Sequence, residues 1–435
     1  MTRVRHSGPP GARRFAHRAL LAAAGTVLSA AVAVVPATGT PVAAPALGVP
    51  VAHDPDSKTR ADQVRDEQWQ LDKLGAQVAW RTSTGRDVVV AVIDSGVDAT
   101  HPDLAGQVLP GLDLVAPGGA SEPDPVGHGT TVAGLIAGRN DDRQGVVGLA
   151  PDARILPVRV LDEENRYDDA LIVAKGVRWA VDNGADVINL SLGGSGDSAA
   201  LAAAIDYAFA KDVVVVACTG NLATSPDAKV WYPAREPGVV AVSGLERSSD
   251  NLWSGAITGR ATVLAAPASG LVGARPPGGY WRVQGTSFAA PLVAATAALV
   301  RARYPQMSAG DVVNRLLVTA RDIGPTGRDD RFGFGLVDPI AALTAQVPPT
   351  YRNPLDDNDP PGVAGFGSAP GSMLAGDADA EQLGLTGSRQ ETQWRAQAAG
   401  AQDDADSERL WIGSAIFVAL LTGAALMVRR FRQHR

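Results

Sequence analysis

The chain has 435 residues, 45% of them hydrophobic, and a formal net charge of -7. That balance suits a globular protein and gives no broad basic surface for nucleic acid, so a nucleic-acid partner is excluded. A single cysteine excludes an intrachain disulfide, and stability must come from the core.

The first residues carry Arg3, Arg5, Arg13, Arg14 and Arg18 without an acid and run into an uncharged apolar stretch from Ala19 to Val35. This is the layout of a signal peptide over residues 1–44, with small residues suited to cleavage after Ala37 or Ala44. An uncleaved anchor is the alternative. A short N-terminal extension, residues 45–67, follows.

From 68 to 346 the sequence alternates short β-rich runs with helical patterns. Strands are predicted at Val88 to Asp94, Arg154 to Val160, Val187 to Leu192, Val213 to Ala217, Val239 to Val242 and Thr262 to Ala265. Most are nearly continuous runs of Val, Ile, Leu and Ala, as expected for strands covered on both faces. Helices are predicted at Gly129 to Ala137, Asp168 to Asn183, Ser198 to Ala210, Ser287 to Tyr304 and Ser308 to Ala320. The alternation predicts an α/β fold with a mainly parallel sheet, helices on both faces, and functional groups at the carboxyl edge of the strands.

Residues 347–410 are rich in Pro, Gly, Asp, Ala and Gln and read as a flexible acidic linker. Trp411 to Val428 then contains no ionisable residue, and 18 residues at about 1.5 Å each reach roughly 27 Å, nearly the hydrocarbon thickness. Asp403, Asp404, Asp406 and Glu408 precede this run, and Arg429, Arg430, Arg432 and Arg435 follow it. The charge bias predicts one transmembrane helix, 411–428, with a cytoplasmic tail, 429–435, and everything between the two apolar runs outside the membrane. A buried core helix, the competing reading, fits a run apolar on all faces poorly.

Three motifs carry candidate chemistry, in the order Asp, His, Ser. Val92-Ile93-Asp94-Ser95-Gly96-Val97 ends a strand with an acid, Gly127-His128-Gly129-Thr130 opens a helix with a histidine, and Gly285-Thr286-Ser287-Phe288 opens another with a serine. Each alone has a structural explanation: a turn-capping acid, a tight bend, a helix start. Together, on an alternating β/α pattern, they resemble the subtilisin-like proteases, as do Asn189-Leu190-Ser191-Leu192-Gly193-Gly194 and Gly220-Asn221.

That resemblance implies a three-layer subtilisin-like fold and a serine endopeptidase. Asp94, His128 and Ser287 would be the catalytic triad, and the Asn221 side chain with the Ser287 backbone N–H the oxyanion hole. Ser191, Leu192, Gly193 and Gly194 would form an open strand edge for an extended protein or peptide substrate. Cys218, three residues before Asn221, reads as a small buried hydrophobe, a reactive thiol being the alternative. Catalysis of this type needs no cofactor. None of the six histidines forms a His-x-x-x-His cluster, so no catalytic metal is expected. Many such proteins carry structural calcium, and no ligand loop for it is identified here.

The short extension, Gln68-Trp69-Gln70-Leu71, Trp231-Tyr232-Pro233-Ala234, the run from Ala298 to Pro305, Gly333-Phe334-Gly335-Leu336-Val337-Asp338-Pro339 and the terminal apolar run further resemble the mycosins. These are membrane-anchored subtilisin-like proteases associated with type VII secretion systems. The resemblance implies a place beside that membrane complex and a type VII secreted protein as substrate, or a structural part in the complex with proteolysis secondary. Two features depart from the mycosin pattern: the single Cys218 in place of paired cysteines, and Asp94-Ser95-Gly96 in place of the commoner Asp-Thr-Gly.

Overall fold

The computed structural model describes residues 63–116, 123–142, 144–224, 228–350 and 352–356. The expected signal peptide and its cleavage sites, most of the N-terminal extension, the linker from 357, the apolar run 411–428 and the basic tail lie outside the described residues. Among the described residues, no helix is long and apolar enough to cross a membrane.

Seven strands form one sheet, all neighbours parallel: β1 (Val89–Asp94), β2 (Leu112–Asp113), β3 (Arg154–Arg159), β4 (Val187–Leu190), β5 (Val214–Cys218), β6 (Val240–Leu245) and β7 (Leu264–Pro267). Their spatial order is β2-β3-β1-β4-β5-β6-β7. The six strands expected from the sequence are all there, each within about three residues of its predicted ends. β4, β5 and β6 are buried at every position, which is why they read as unbroken apolar runs. An antiparallel hairpin, β8 (Leu271–Arg275) and β9 (Gly279–Val283), was not expected from the sequence. Its β9 is only half-buried, so it lacks the apolar run that identified the others.

Eight α-helices with both ends inside the described residues frame the sheet. Two short ones, α1 (Trp69–Lys73) and α2 (Ala76–Ala79), lead in; α3 (His128–Ala137), α4 (Ala170–Asp182), α5 (Ala199–Ala210), α6 (Thr286–Arg303) and α7 (Ala309–Val318) follow, and α8 (Pro339–Thr344) closes. α3 packs on α6 and α4 on α5, one pair on each face of the sheet. Asp169, Ser198 and Ser308 cap α4, α5 and α7 by accepting hydrogen bonds from Leu171, Leu201 and Asp311 N–H, satisfying donors the first turn leaves open. α4 buries Val173, Ala174, Val177 and Ala180, one helical stripe. By contrast, α3 is buried throughout and α6 from Thr286 to Arg301, so both are built largely of small and apolar residues.

The fold extends past both domain edges expected from the sequence. Before residue 68, the Arg65 guanidinium donates to the carbonyls of Gly145 (3.0 Å) and Gln144 (2.7 Å) and to Asn140 Oδ1 (2.9 Å), and Glu67 pairs with Arg282 at 2.7 Å. After residue 346, Asn353 Nδ2 donates to Gly238 O at 2.7 Å and Gly238 N–H to Leu355 O at 2.9 Å. Composition marked the C-terminal edge as linker and the N-terminal one as a separate short extension, and these contacts hold both to the domain.

Candidate active site

The strand order places the site. From β1 the chain goes to β2 and β3 on one side and then crosses to β4 on the other, so the crevice beyond the carboxyl end of β1 is where a parallel sheet of this kind binds ligands. Asp94 is the last residue of β1, Ser191 directly follows β4, and Asn221 lies three residues beyond β5.

His128 opens α3 and Ser287 is the second residue of α6, the two helices packed together. His128 Nδ1 lies 2.7 Å from Asp94 Oδ1, and Asp94 also accepts from Ser95 N–H at 2.7 Å. The approach of α3 to β1 depends on Gly129: a Cβ there would stand 2.0 Å from Gly96 O. Asp94, His128 and Ser287 are 0%, 1% and 1% exposed, and Phe288 packs on the imidazole with ring centroids 5.1 Å apart. Burial pulls the His128 pKa down, but the charge and hydrogen bond of Asp94, with the charge of Asp124, outweigh it and leave the value raised.

The Ser287 hydroxyl is turned towards Cys218, with Oγ 3.8 Å from Sγ, and His128 Nε2 has no hydrogen-bond partner among the described residues. A loose serine-to-histidine contact is common in ligand-free sites and tightens when substrate binds. Cys218 is fully buried, its Sγ 3.8 Å from Leu192 O as well, and burial pushes its thiol up to about 12. It is a small packed side chain, not a nucleophile.

Asn221 is held by its oxygen. Oδ1 accepts from the Thr286 N–H and from Thr286 Oγ1, both at 3.0 Å, which fixes the amide's orientation and leaves Nδ2 as a donor beside Gly285. Gly285, the N-cap of α6, has φ +147°, where a side chain would be strained. The Ser287 N–H, in the first turn of α6, has no intrahelical acceptor. Two donors therefore flank the space above Ser287, as an oxyanion requires.

The strand edge expected at Ser191 to Gly194 is already occupied at its Gly194 end, and its first residue has a further side-chain task. The Ser191 side chain is buried and faces inwards: its hydroxyl donates to Ser287 O at 2.6 Å and accepts from Asn189 Nδ2 at 2.9 Å. Pro291, four residues after Ser287, has no N–H to supply the usual helical bond to that carbonyl, and Ser191 takes its place. At the other end, Gly194 is already paired, its N–H to Tyr232 O at 2.9 Å and its carbonyl to Tyr232 N–H at 2.8 Å. Ser191, Leu192 and Gly193 remain the part of the edge that can meet a peptide backbone.

Sequence reasoning passed over Asp124. It lies four residues before His128 and accepts five hydrogen bonds, from Ser95 Oγ, Val126 N–H, Gly127 N–H, Thr130 N–H and Thr130 Oγ1. An acid just ahead of a helix-opening histidine was the available signal. Among the described residues, no group of three or more His, Cys, Asp or Glu side chains is placed to hold a metal ion.

Comparison with known proteins matches residues 85–335 to the model of the subtilase family. Fervidolysin of Fervidobacterium pennivorans is 36% identical over 317 residues, covering 66% of this chain, which in turn spans only 45% of fervidolysin. Subtilisin DY of Bacillus licheniformis is 39% identical over 259 residues, 59% of this chain and 91% of that protein. Among solved structures, MycP1 from the ESX-1 type VII secretion system is similar with a TM-score of 0.58 at 30% identity, covering 66% of this chain and 88% of that one.

Proposed function

The chain belongs to the subtilase family, and we propose that it works as a membrane-anchored serine endopeptidase on the outer face of the cytoplasmic membrane, beside a type VII secretion complex. Its folded part is a subtilisin-like serine endopeptidase domain. The observation that carries the reading is the buried Asp94–His128 pair at 2.7 Å, set beside a serine that opens a helix between two unengaged donors.

In the proposed reaction the Ser287 hydroxyl turns from Cys218 to His128. Its oxygen attacks the peptide carbonyl carbon while its proton passes to His128 Nε2, the ring nitrogen left without a partner. Asp94 holds the other nitrogen and stabilises the imidazolium. The oxyanion is met by Asn221 Nδ2 and the Ser287 N–H. Collapse expels the amine, which takes the proton from His128, and water activated by the same base then releases the acyl group. Ser191, Leu192 and Gly193 offer backbone to the substrate on the acyl side.

The anchoring rests on the apolar run 411–428 and its flanking charges, and the secretion role on the mycosin-like motifs together with the similarity to MycP1. The substrate proposed is a protein exported by that system.

Reaction of the full chain in detergent with a fluorophosphonate probe tests the chemistry: labelling that disappears in Ser287→Ala supports it, and no labelling of the unaltered chain overturns it. Anchoring is tested by fractionation. A chain ending at Arg409 should leave the membrane fraction, and its retention there would refute a C-terminal anchor.

A further inference from the structure

We propose that Asp124 is a second positioning carboxylate of this site, tying together the end of β1 that carries Asp94 and the start of α3 that carries His128, and so fixing the geometry of the catalytic base. The inference rests on the endopeptidase reading and goes beyond the triad.

Asp124 is 3% exposed and, among the described residues, takes no cation as a partner; its five hydrogen bonds all come from neutral donors. Two of these donors are hydroxyls whose proton direction is dictated. Ser95 Oγ accepts from Gly129 N–H at 3.0 Å, so its own proton goes to Asp124 Oδ1, 2.8 Å away. Thr130 Oγ1 accepts from Asp98 N–H at 2.9 Å, so its proton goes to Asp124 Oδ2, 2.6 Å away. An ionised carboxylate accepts from all five donors at once, whereas an amide in its place would turn an N–H against the Thr130 or Gly127 N–H.

The connectivity explains the role. Ser95 adjoins Asp94, and Gly129 and Thr130 adjoin His128. Through Ser95, Asp124 joins the end of β1 to the start of α3; through Thr130, it joins that start to the loop after β1 at Asp98. The 2.7 Å contact between Asp94 and His128 is thus set by a knot one residue away on each side. Burial pushes the Asp124 pKa up against the pull of these bonds, and its charge is among those that raise His128. The charged and titratable groups around His128 are Asp94 from β1, Asp124 from the loop before α3 and Cys218 from β5 beyond Ser287, while Asp98 and Arg275 line the cavity beside Asp124.

The test compares Asp124→Asn with Ser95→Ala in the full chain. With Asp124→Asn, kcat should fall about tenfold or more with KM within about twofold, because only the reacting geometry is disturbed. The acidic limb of kcat/KM should move to lower pH, because His128 loses a charge that favours its protonation. Ser95→Ala cuts the link and keeps the charge, so kcat should fall by a smaller factor with that limb unmoved. Should Asp124→Asn fail to fold, Ser95→Ala decides: a lowered kcat at unchanged KM supports the proposal and an unchanged kcat overturns it. A folded Asp124→Asn with kcat and acidic limb both unchanged overturns it even where the melting temperature drops, since Asp124 would then serve the fold alone. The low-field proton NMR signal of the Asp94–His128 bond gives a readout without turnover. If the chain has no peptidase activity, a shift of that signal in Asp124→Asn still supports the positioning role, and an unmoved signal refutes it.

Discussion

Ser191→Ala should damage both stability and turnover, and the structure sets the size of each effect. The substitution removes one buried hydroxyl that donates to Ser287 O at 2.6 Å and accepts from Asn189 Nδ2 at 2.9 Å. Pro291 cannot replace the first bond, and Asn189 Oδ1 already has no partner among the described residues. Two buried polar groups would be left unsatisfied at about 1.5 kcal/mol each, in the lower part of the usual range, for a total of about 3 kcal/mol. At ~2–4 °C per kcal/mol for a domain of this size, the melting midpoint should fall by ~6–12 °C. The scan is best run with Ser287→Ala in both proteins, which preserves the carbonyl and prevents autolysis. In the active background, a released carbonyl lets the start of α6 shift, and a loss of about 1.4 kcal/mol in transition-state binding means about tenfold in acylation by a fluorophosphonate. A midpoint within about 1 °C of the parent, together with an unchanged acylation rate, would refute the claim that Ser191 substitutes for the missing helical bond.

Asn221→Ala removes one oxyanion donor, and kcat should fall about 10²–10³-fold with KM little changed, the range seen when such a donor is removed from subtilisin; steady-state kinetics on a cleavable peptide would show it. With His128 as the proposed neutral base and its pKa raised, activity should be lost on acidification through a value above the ordinary 6.5, and a pH–rate profile with its acidic limb below 6.5 would contradict the site's electrostatics. The same shift makes protonated His128 stabilising at acidic pH, a contribution that fades as pH rises through its folded value. Cys218, buried and pushed up to about 12, should resist iodoacetamide at pH 8 in the folded chain and react once the chain is unfolded, as mass spectrometry would read. Ser287→Ala in the native host should stop processing of the exported substrate; secretion that continues unaltered would favour a structural part in the complex.

What could be read from the sequence follows from where the information lies. The central strands were legible because burial on both faces admits little besides Val, Ile, Leu and Ala, whereas β2 has two residues and β9 is half-exposed, so neither carries a pattern of its own. Asp94, His128, Asn221 and Ser287 could be picked out as candidates because each stands within two residues of a Gly at a junction of strand or helix with loop, in one short motif. Ser191 was placed on the strand edge, while the task of its side chain was not legible. A motif shows that a serine follows the strand, but only the fold shows that its hydroxyl meets a carbonyl whose own helical donor Pro291 has removed. Asp124 is the extreme case. Its place just ahead of a helix-opening histidine is a faint signal; its meaning comes from donors converging from the end of β1, the start of α3 and its own loop. Residues that do the bond-making are thus marked by type and spacing, while those that hold them in register are marked only by what surrounds them. It follows that substitution at Asp124 should disturb catalysis while leaving every recognisable motif residue of the site in place.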